Sequence, residues 1–366
     1  MREHRQTMIR TPQVLAETPD APADLLSDVL GSMHLAGTVL LRAEFREPWA
    51  VTTPESCQLA KLLPLRTERI IPFHIVASGG CWMELNEHPA VWLNEGDAIV
   101  LPYGDSHRLH GREPHVPMQV GGLLPRPPWE DIVVIEHGGT GSSTRLICGF
   151  LQCDELLFHP VLRHLPRLLH VNPTSPADAW LAGTIRHTAA EASQPRPGSR
   201  SLLPRLAELM FVEILRTHMQ ALPADEIGWF AAINDPVAGS GLRHMHAMPF
   251  HDWTVDSLAR RVGVSRTVLA ERFKHFLDQP PMQYLSHWRL RVAAHALSSS
   301  ETPIKAIAGQ TGYESEAAFS RAFKRHFGMP PADWRKRARH AAGDADARHI
   351  DPARSWSTAT AARSVR

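Results

Sequence analysis

The residues in this chain with the clearest chemistry are two sets of polar side chains near its C-terminal end. Arg266, Thr267, Ala270, Glu271 and Lys274 are interleaved with Leu269, Phe273 and Phe276. Glu316, Ala317, Ser320, Arg321, Lys324 and Arg325 are interleaved in the same way with Phe319 and Phe323. Spacings of three and four residues put the apolar members on one face of a helix and the polar members on the other. An arginine on such a face can grip guanine bidentately, worth about 1–3 kcal/mol of discrimination, and Arg321 is the best placed for this. Lys274, Lys324 and Arg325 suit phosphates, which position a protein without specifying sequence. Glu271 and Glu316 can accept a hydrogen bond from cytosine or repel wrong sequences. Any one of these side chains alone can be ordinary solvated surface, so the argument rests on the two faces together.

The two faces belong to one unit written twice. Leu258-Ala259, Gly263, Leu269, Phe273-Lys274, Pro280-Pro281 and Tyr284 recur as Ile307-Ala308, Gly312, Phe319, Phe323-Lys324, Pro330-Pro331 and Trp334. The offset is 49 residues up to the glycine and 50 after it, so the second turn is one residue longer. In the first unit Thr254 or Asp256 can cap a helix, Gly263 turns the chain, and Ser265 caps the next helix. Each unit is a helix-turn-helix, whose second helix enters the major groove. Between them Met282–Leu297 predicts a helix about 24 Å long. With the width of the units, that sets the reading helices about one DNA turn (~34 Å) apart.

Charge follows the same division. Residues 241–340 carry 16 Lys and Arg against 8 Asp and Glu, while the remainder of the chain is acidic. A basic third on an acidic body fits attraction to phosphate at one end only. The 366 residues are 43% hydrophobic, enough for two cored domains, and lack an apolar run of membrane-spanning length. The start, Met1-Arg2-Glu3-His4-Arg5, is not a secretory signal. Cys57, Cys81, Cys148 and Cys153 include no CxxC pair, against a disulfide scaffold or zinc knuckle. The expected location is cytoplasmic, with no membrane contact.

The second cluster of chemistry lies upstream. His74, His107 and His110 are imidazoles that can hold a divalent metal. Gly96, five residues, Pro102-Tyr103-Gly104, two residues and His107 resemble the cupin motif, in which a tight turn and a hairpin aim a histidine into a barrel. Phe73-His74 through Trp82 resembles the first cupin motif as it occurs in sensors, without the His-x-His pair and glutamate of cupin enzymes. Two secure ligands are too few for a closed site, so no cofactor is expected. A divalent metal in the barrel is the alternative, and with it a metal-dependent cupin enzyme carrying an accessory DNA-binding domain. Ligand-sensing residues would be His74, His107, Cys81 and Cys148. Cys148 reads either as a small core residue or as a redox switch, with Arg145 nearby to favour the thiolate.

Around these residues, 1–23 read as a flexible leader and 24–175 as a cupin-like sensor barrel. Its apolar runs are Gly37–Arg42, Ile70–Ala77, Cys81–Leu85, Ala98–Leu101, Val116–Leu124 and Thr144–Gln152, spaced as strands. Residues 176–225 read as two helices, Ala177–Ser193 and Ser201–Gln220. The second is apolar on more than one side, so it either packs within its own chain or dimerises. Residues 226–340 hold the DNA-binding domain, entered through a linker near Asn234–Gly241. Residues 341–366 read as a disordered tail, Gly343 onward lacking periodicity.

Residues 255–334 resemble the DNA-binding domain of the AraC/XylS family. The features are Leu258-Ala259…Gly263…Ser265, Arg289-Leu290…Ala293, and Ile307-Ala308…Gly312-Tyr313…Phe319-Ser320-Arg321-Ala322-Phe323-Lys324…Phe327-Gly328…Pro330-Pro331…Trp334-Arg335. The resemblance implies a sequence-specific regulator, by family tendency an activator, whose cupin-like domain senses a small-molecule effector or an oxidant. It further implies double-stranded promoter DNA and RNA polymerase as partners, and a homodimer. Ala270 and Glu271 stand where the family commonly has longer polar or basic residues, which shifts base reading toward the second unit. A DNA protein without sequence preference is a third reading. The expected fold class is α+β in two domains: an N-terminal cupin-like β-barrel with trailing helices, and a C-terminal all-α tandem helix-turn-helix domain.

Overall fold

The computed structural model describes residues 24–348, apart from 32–34, 64–69, 87, 127–128, 130, 153–164, 174–177 and 224–225. The leader 1–23 lies outside the described residues. In chain order come α1 (Leu25–Gly31), β1 (Ala36–Arg46), β2 (Ala50–Thr53), α2 (Ser56–Leu62), β3 (Ile71–Ser78), β4 (Gly80–Leu85), β5 (Val91–Asn94) and β6 (Ala98–Val100). Then follow β7 (His107–His110), β8 (Met118–Gln119), β9 (Val133–Gly138), β10 (Ser143–Gln152) and β11 (Leu169–Val171). A six-stranded sheet in the order β11-β6-β3-β10-β1-β9 faces a five-stranded one in the order β5-β4-β7-β2-β8.

The larger sheet is buried on both faces, which explains the unbroken apolar run of β3. Val76 joins the barrel core with Leu41, Ala43, Met83 and Leu146. Phe73 and Ile75 join a second core beneath the helices. A β-bulge between Val39 and Leu41 shifts the register of β1 on β10. Val39 accordingly belongs to the helical core and Leu41 to the barrel core. The run Val116–Leu124 is not the strand its apolarity predicts. Only Met118–Gln119 pairs, with β2, before a 3-10 turn at Val120–Gly122, and Val116 is 81% exposed. Pro117 and the Gly121-Gly122 pair interrupt it.

Two helices cover the outer face, α3 (Ala179–Ser193) and α4 (Ser199–Ala221). Leu203, Met210, Phe211, Ile214 and Leu215 of α4 are buried. At Gly37 the approach is so close that a Cβ would lie 2.6 Å from the Pro204 carbonyl oxygen, and the Gly37 N–H donates to Glu208 at 3.0 Å. Leu202 and Leu206 are half-buried and Leu209 is 51% exposed, one stripe that this chain leaves uncovered.

The C-terminal region is helical: α5 (Trp229–Asn234), α6 (Ala238–Ala247), α7 (Val255–Val262), α8 (Arg266–Leu277), α9 (Pro281–Ser299), α10 (Ile304–Gln310), α11 (Glu316–Phe327) and α12 (Pro331–Arg348). The expected linker at Asn234–Gly241 is instead the packed junction of α5 and α6. Its small residues serve close contact rather than freedom, since a Cβ on Gly241 would lie 2.9 Å from the Phe273 ring. Asp235 accepts the N–H groups of Val237 and Ala238 at 3.1 and 2.7 Å and pairs with Arg272 of α8. The expected disordered tail is also corrected in part, because α12 continues through Gly343 to Arg348. Residues 349–366 lie outside the described residues.

Thr254 caps α7 in a capping box: its hydroxyl accepts the Ser257 N–H at 3.0 Å, and the Ser257 hydroxyl accepts the Thr254 N–H at 2.9 Å. Thr254→Ala is therefore expected to cost about 1 kcal/mol, read as a lower denaturation midpoint at unchanged slope. No helix among the described residues is long and apolar enough to cross a membrane.

Candidate functional site

The two reading helices, α8 and α11, are built alike. Ser265 and Ser315 cap them, each hydroxyl accepting an N–H three residues on, from Val268 and Ala318, at 3.2 Å. Gly263 and Gly312 hold φ at +83° and +81°, a left-handed turn that a side chain would strain. Leu269, Phe273 and Phe276 are buried on α8, as are Phe319, Phe323 and Phe327 on α11. Arg266, Thr267, Glu271, Lys274, Glu316, Ala317, Arg321, Lys324 and Arg325 are exposed, and Ala270 and Ser320 half-buried.

Because both helices start from a capping serine, their faces correspond position by position. Glu271 and Arg321 each lie six residues beyond the cap, at the middle of the exposed face. Lys274 and Lys324 correspond likewise, but Lys274 is paired with Asp278, the C-cap of its own helix. Arg266 lies 3.3 Å from Asp256. No ion pair engages Arg321, Lys324 or Arg325 among the described residues. The second helix thus presents the stronger and freer positive face.

The linker helix α9 fixes the two units against each other. Arg289 donates to the Pro249 and His251 carbonyls at 2.6 and 2.8 Å, and its guanidinium stands against Gly312 of the second turn. Trp334 donates to the Ala294 carbonyl at 3.1 Å, tying α12 to α9. The sequence singled out Arg289 only as part of a motif; its bracing role needed the three-dimensional contacts.

In the barrel, His74, His107, Cys81 and Cys148 converge on the lumen. Cys148 stands directly opposite His74 across the β10–β3 pair. His110 does not join them. On β7 residues 107 and 109 are buried while 108 and 110 face outward, and His110 pairs with Glu84 at 3.1 Å. Alternation along the strand excludes it from a site built on His107. Two imidazoles remain, and no group of three metal-ligating side chains forms among the described residues. The residues present do not fit a cupin metal site.

The two imidazoles bond to each other instead, Nε2 to Nε2 at 2.9 Å. His107 Nδ1 lies 3.0 Å from the Asp105 carbonyl, which only accepts, so that nitrogen carries the proton. His107 Nε2 is then the bare acceptor and His74 Nε2–H the donor. His74 Nδ1 is left deprotonated and without a hydrogen-bond partner. Both rings are neutral. Burial, then the neighbouring His107, holds His74 well below the usual histidine range. Burial brings His107 down to about 4.

The thiols are held the other way. Burial, then Asp97, pushes Cys81 up to about 12, and burial, then Cys81, raises Cys148 as well. Arg145, the suggested source of a thiolate, is exposed and donates from Nε to the Ser78 hydroxyl at 2.8 Å. Alternation on β10 turns it away from Cys148. Cys153 lies outside the described residues.

These histidines set an acid dependence. His326, on α11 against His287 of α9, is likewise brought down to about 4 by burial, then by His287 and Arg291. A histidine with a depressed folded pKa leaves the unfolded state binding more protons, so its stabilisation is complete above about pH 6.5 and is lost toward pH 4. Denaturation midpoints are expected to fall over that window, with His107→Gln flattening the fall. A pH-independent midpoint would contradict the neutral pair.

Comparison with known proteins follows the same two-part division. A cupin family model matches residues 24–220, and a helix-turn-helix domain model matches residues 258–337. An AraC-like transcription regulator of Streptomyces lividans is 35% identical over 274 residues, covering 73% of this chain and 87% of that protein. The chain belongs to the AraC-like transcription regulators. The HTH-type transcriptional regulator AlkR of Acinetobacter baylyi is 28% identical over 320 residues, covering 86% of this chain and all of that protein. The RCS-specific HTH-type transcriptional activator RclR of Escherichia coli is 26% identical over 275 residues, 75% of this chain and 87% of that protein. This AraC-like regulator is a DNA-binding transcription regulator, with a cupin domain in front of its helix-turn-helix domain.

Proposed function

We propose that this regulator reads its promoter chiefly with α11, Arg321 contacting a base edge and Lys324 and Arg325 holding phosphates. Arg266, Thr267, Ala270, Glu271 and Lys274 on α8, with Glu316, Ala317 and Ser320 on α11, complete the DNA-facing set. The observation that carries this reading is Arg321 itself: exposed, without an ionic partner among the described residues, at the middle of a face whose counterpart holds Glu271.

The cupin domain is a sensor rather than a catalyst, acting by population shift: a signal there favours one arrangement on DNA. Its lumen, about 50 Å3, has room for a water or two, so His74, His107, Cys81 and Cys148 pack the barrel in this state. The protein acts in the cytoplasm, on double-stranded DNA together with RNA polymerase. The activator role is supported by the relative named as an activator. The stripe Leu202, Leu206 and Leu209 on α4 supports a homodimer. Light scattering of Leu209→Lys against the parent is expected to find a dimer become a monomer; two monomers would remove this surface. A reporter behind the bound promoter is expected to rise with the regulator present. A fall would make it a repressor.

A further inference from the structure

We infer that the effector site is not the barrel lumen but the cleft between the outer face of the larger sheet and α3, and that it takes a small organic anion with an apolar body. This inference rests on the effector-sensing reading and gives it a place and a chemistry. The cleft measures about 460 Å3, against about 50 Å3 for the lumen. Pockets that hold small molecules run from about 300 to 1,000 Å3, so the cleft is of a fitting size and the lumen is not. A second cleft of about 570 Å3 beside the head of α4 also has the size, but its arginines Arg196 and Arg200 are already paired with Glu191 and Asp131.

Its chemistry is apolar between two cations. Ala77 of β3 forms one wall, and Ile185 and Ala189 of α3 the other. Arg145 and Arg186 reach it from β10 and α3. Arg145 spends one N–H on the Ser78 hydroxyl, and neither guanidinium meets a carboxylate among the described residues. Several other arginines of the domain do: Arg196 pairs with Glu191, Arg200 with Asp131 at 2.9 Å, and Arg167 with Asp105 at 2.7 Å, while Arg42 and Arg205 bond the Ser193 and Ser201 carbonyls. Asp97 also borders the cleft, but it is already satisfied by the Asn94 N–H at 2.9 Å and by His170 at 3.1 Å. Exposed Glu95 at the rim repels an anion from that end, which directs the carboxylate of a ligand to the arginines.

The cleft also has a route to the reading helices. Helix α3 packs on α4, and the end of α4 meets α5: the Asn234 side chain donates to the Met219 carbonyl at 3.3 Å, and the His218 ring meets Phe230 edge-on at 5.8 Å. The Gly228 N–H at the head of α5 donates to the Phe276 carbonyl of α8 at 2.9 Å. A ligand bridging α3 and the sheet therefore acts on α8 through packed elements, without entering the barrel.

The test uses the full chain with benzoate, indole-3-acetate and decanoate, each beside its uncharged primary amide, read by thermal shift and by DNA affinity. At least one carboxylate is expected to raise the melting temperature where its amide does not. Exposed Arg145→Gln and Arg186→Gln should each weaken it by about tenfold, Ala189→Trp should block it, and lumen-filling Cys148→Val should leave it. No carboxylate shift, or a shift that survives Arg145→Gln with Arg186→Gln, overturns the inference. Loss in Cys148→Val alone overturns it too and returns the effector to the lumen. Binding that obeys the arginines but leaves DNA affinity unchanged upholds the anion site and overturns its effector role.

Discussion

Phe323→Ala is expected to cost about 3–5 kcal/mol of folding stability and to abolish DNA binding by the second reading unit. Phe323 is fully buried, with its ring centroid 5.5 Å from Phe319, 4.6 Å from Phe327 and 5.7 Å from Trp334. Those four rings join α11 to α12, and the Trp334 indole N–H carries the connection on to α9 through the Ala294 carbonyl and the Ser298 hydroxyl. Truncating the central ring leaves a cavity that rigid aromatic neighbours fill poorly. Domains are stable by only about 5–15 kcal/mol, so the loss removes a large part of the margin. Denaturant titration measures it. A cost below about 1 kcal/mol would mean that this cluster does not hold the second reading helix in place.

Arg321→Ala is expected to leave folding intact and to reduce discrimination between the cognate site and other sequences roughly 5- to 150-fold, the equivalent of about 1–3 kcal/mol. Lys324→Ala should instead weaken cognate and scrambled DNA alike and reduce the salt slope by about one. The contrast between the two variants separates base reading from phosphate holding. Glu271→Ala, at the corresponding place on α8, should raise affinity for all sequences if the carboxylate only repels backbone. Competition binding with cognate and scrambled duplexes checks all three. Equal effects of Arg321→Ala and Lys324→Ala on both duplexes would assign Arg321 to phosphate.

The parts of this account legible in the sequence are those set by local rules. Caps at Thr254 and Ser265, turns at Gly263 and Gly312, and the faces of α8 and α11 follow from helical period and terminal chemistry, which depend on residues a few positions apart. The apolar runs of β1, β3, β4, β6 and β10 are legible as well, whereas the more polar, alternating β7 and β9 are not. Less visible were features that depend on partners far along the chain. Ala238, Gly239 and Gly241 have the composition of a linker, yet they are small because α6 presses against α5 and α8. His110 has the residue type of a ligand, but one step of strand alternation separates it from His107. Cavity sizes are further still from the sequence: the small lumen and the larger cleft under α3 result from side chains of many elements.

The helix α1 is another such feature. Leu25, Leu26 and Val29 bury in the core shared with the helices, and Asp28 stands 3.4 Å from His246 of α6. His246 in turn stacks on Trp288 of α9 at 3.9 Å and bonds the Tyr284 hydroxyl at 2.8 Å. The segment ahead of the barrel is thereby in direct contact with the DNA-binding helices. A residue pattern of seven positions carries no sign of that docking.

The most direct test of the central claim is the affinity of the full chain for duplex DNA from upstream of its own reading frame against a scrambled duplex of equal composition, across a salt series. The account predicts a preference of at least about a thousandfold at physiological salt, with both affinities falling as salt rises. Equal affinities for the two duplexes, falling together with salt, would contradict sequence-specific reading by α8 and α11.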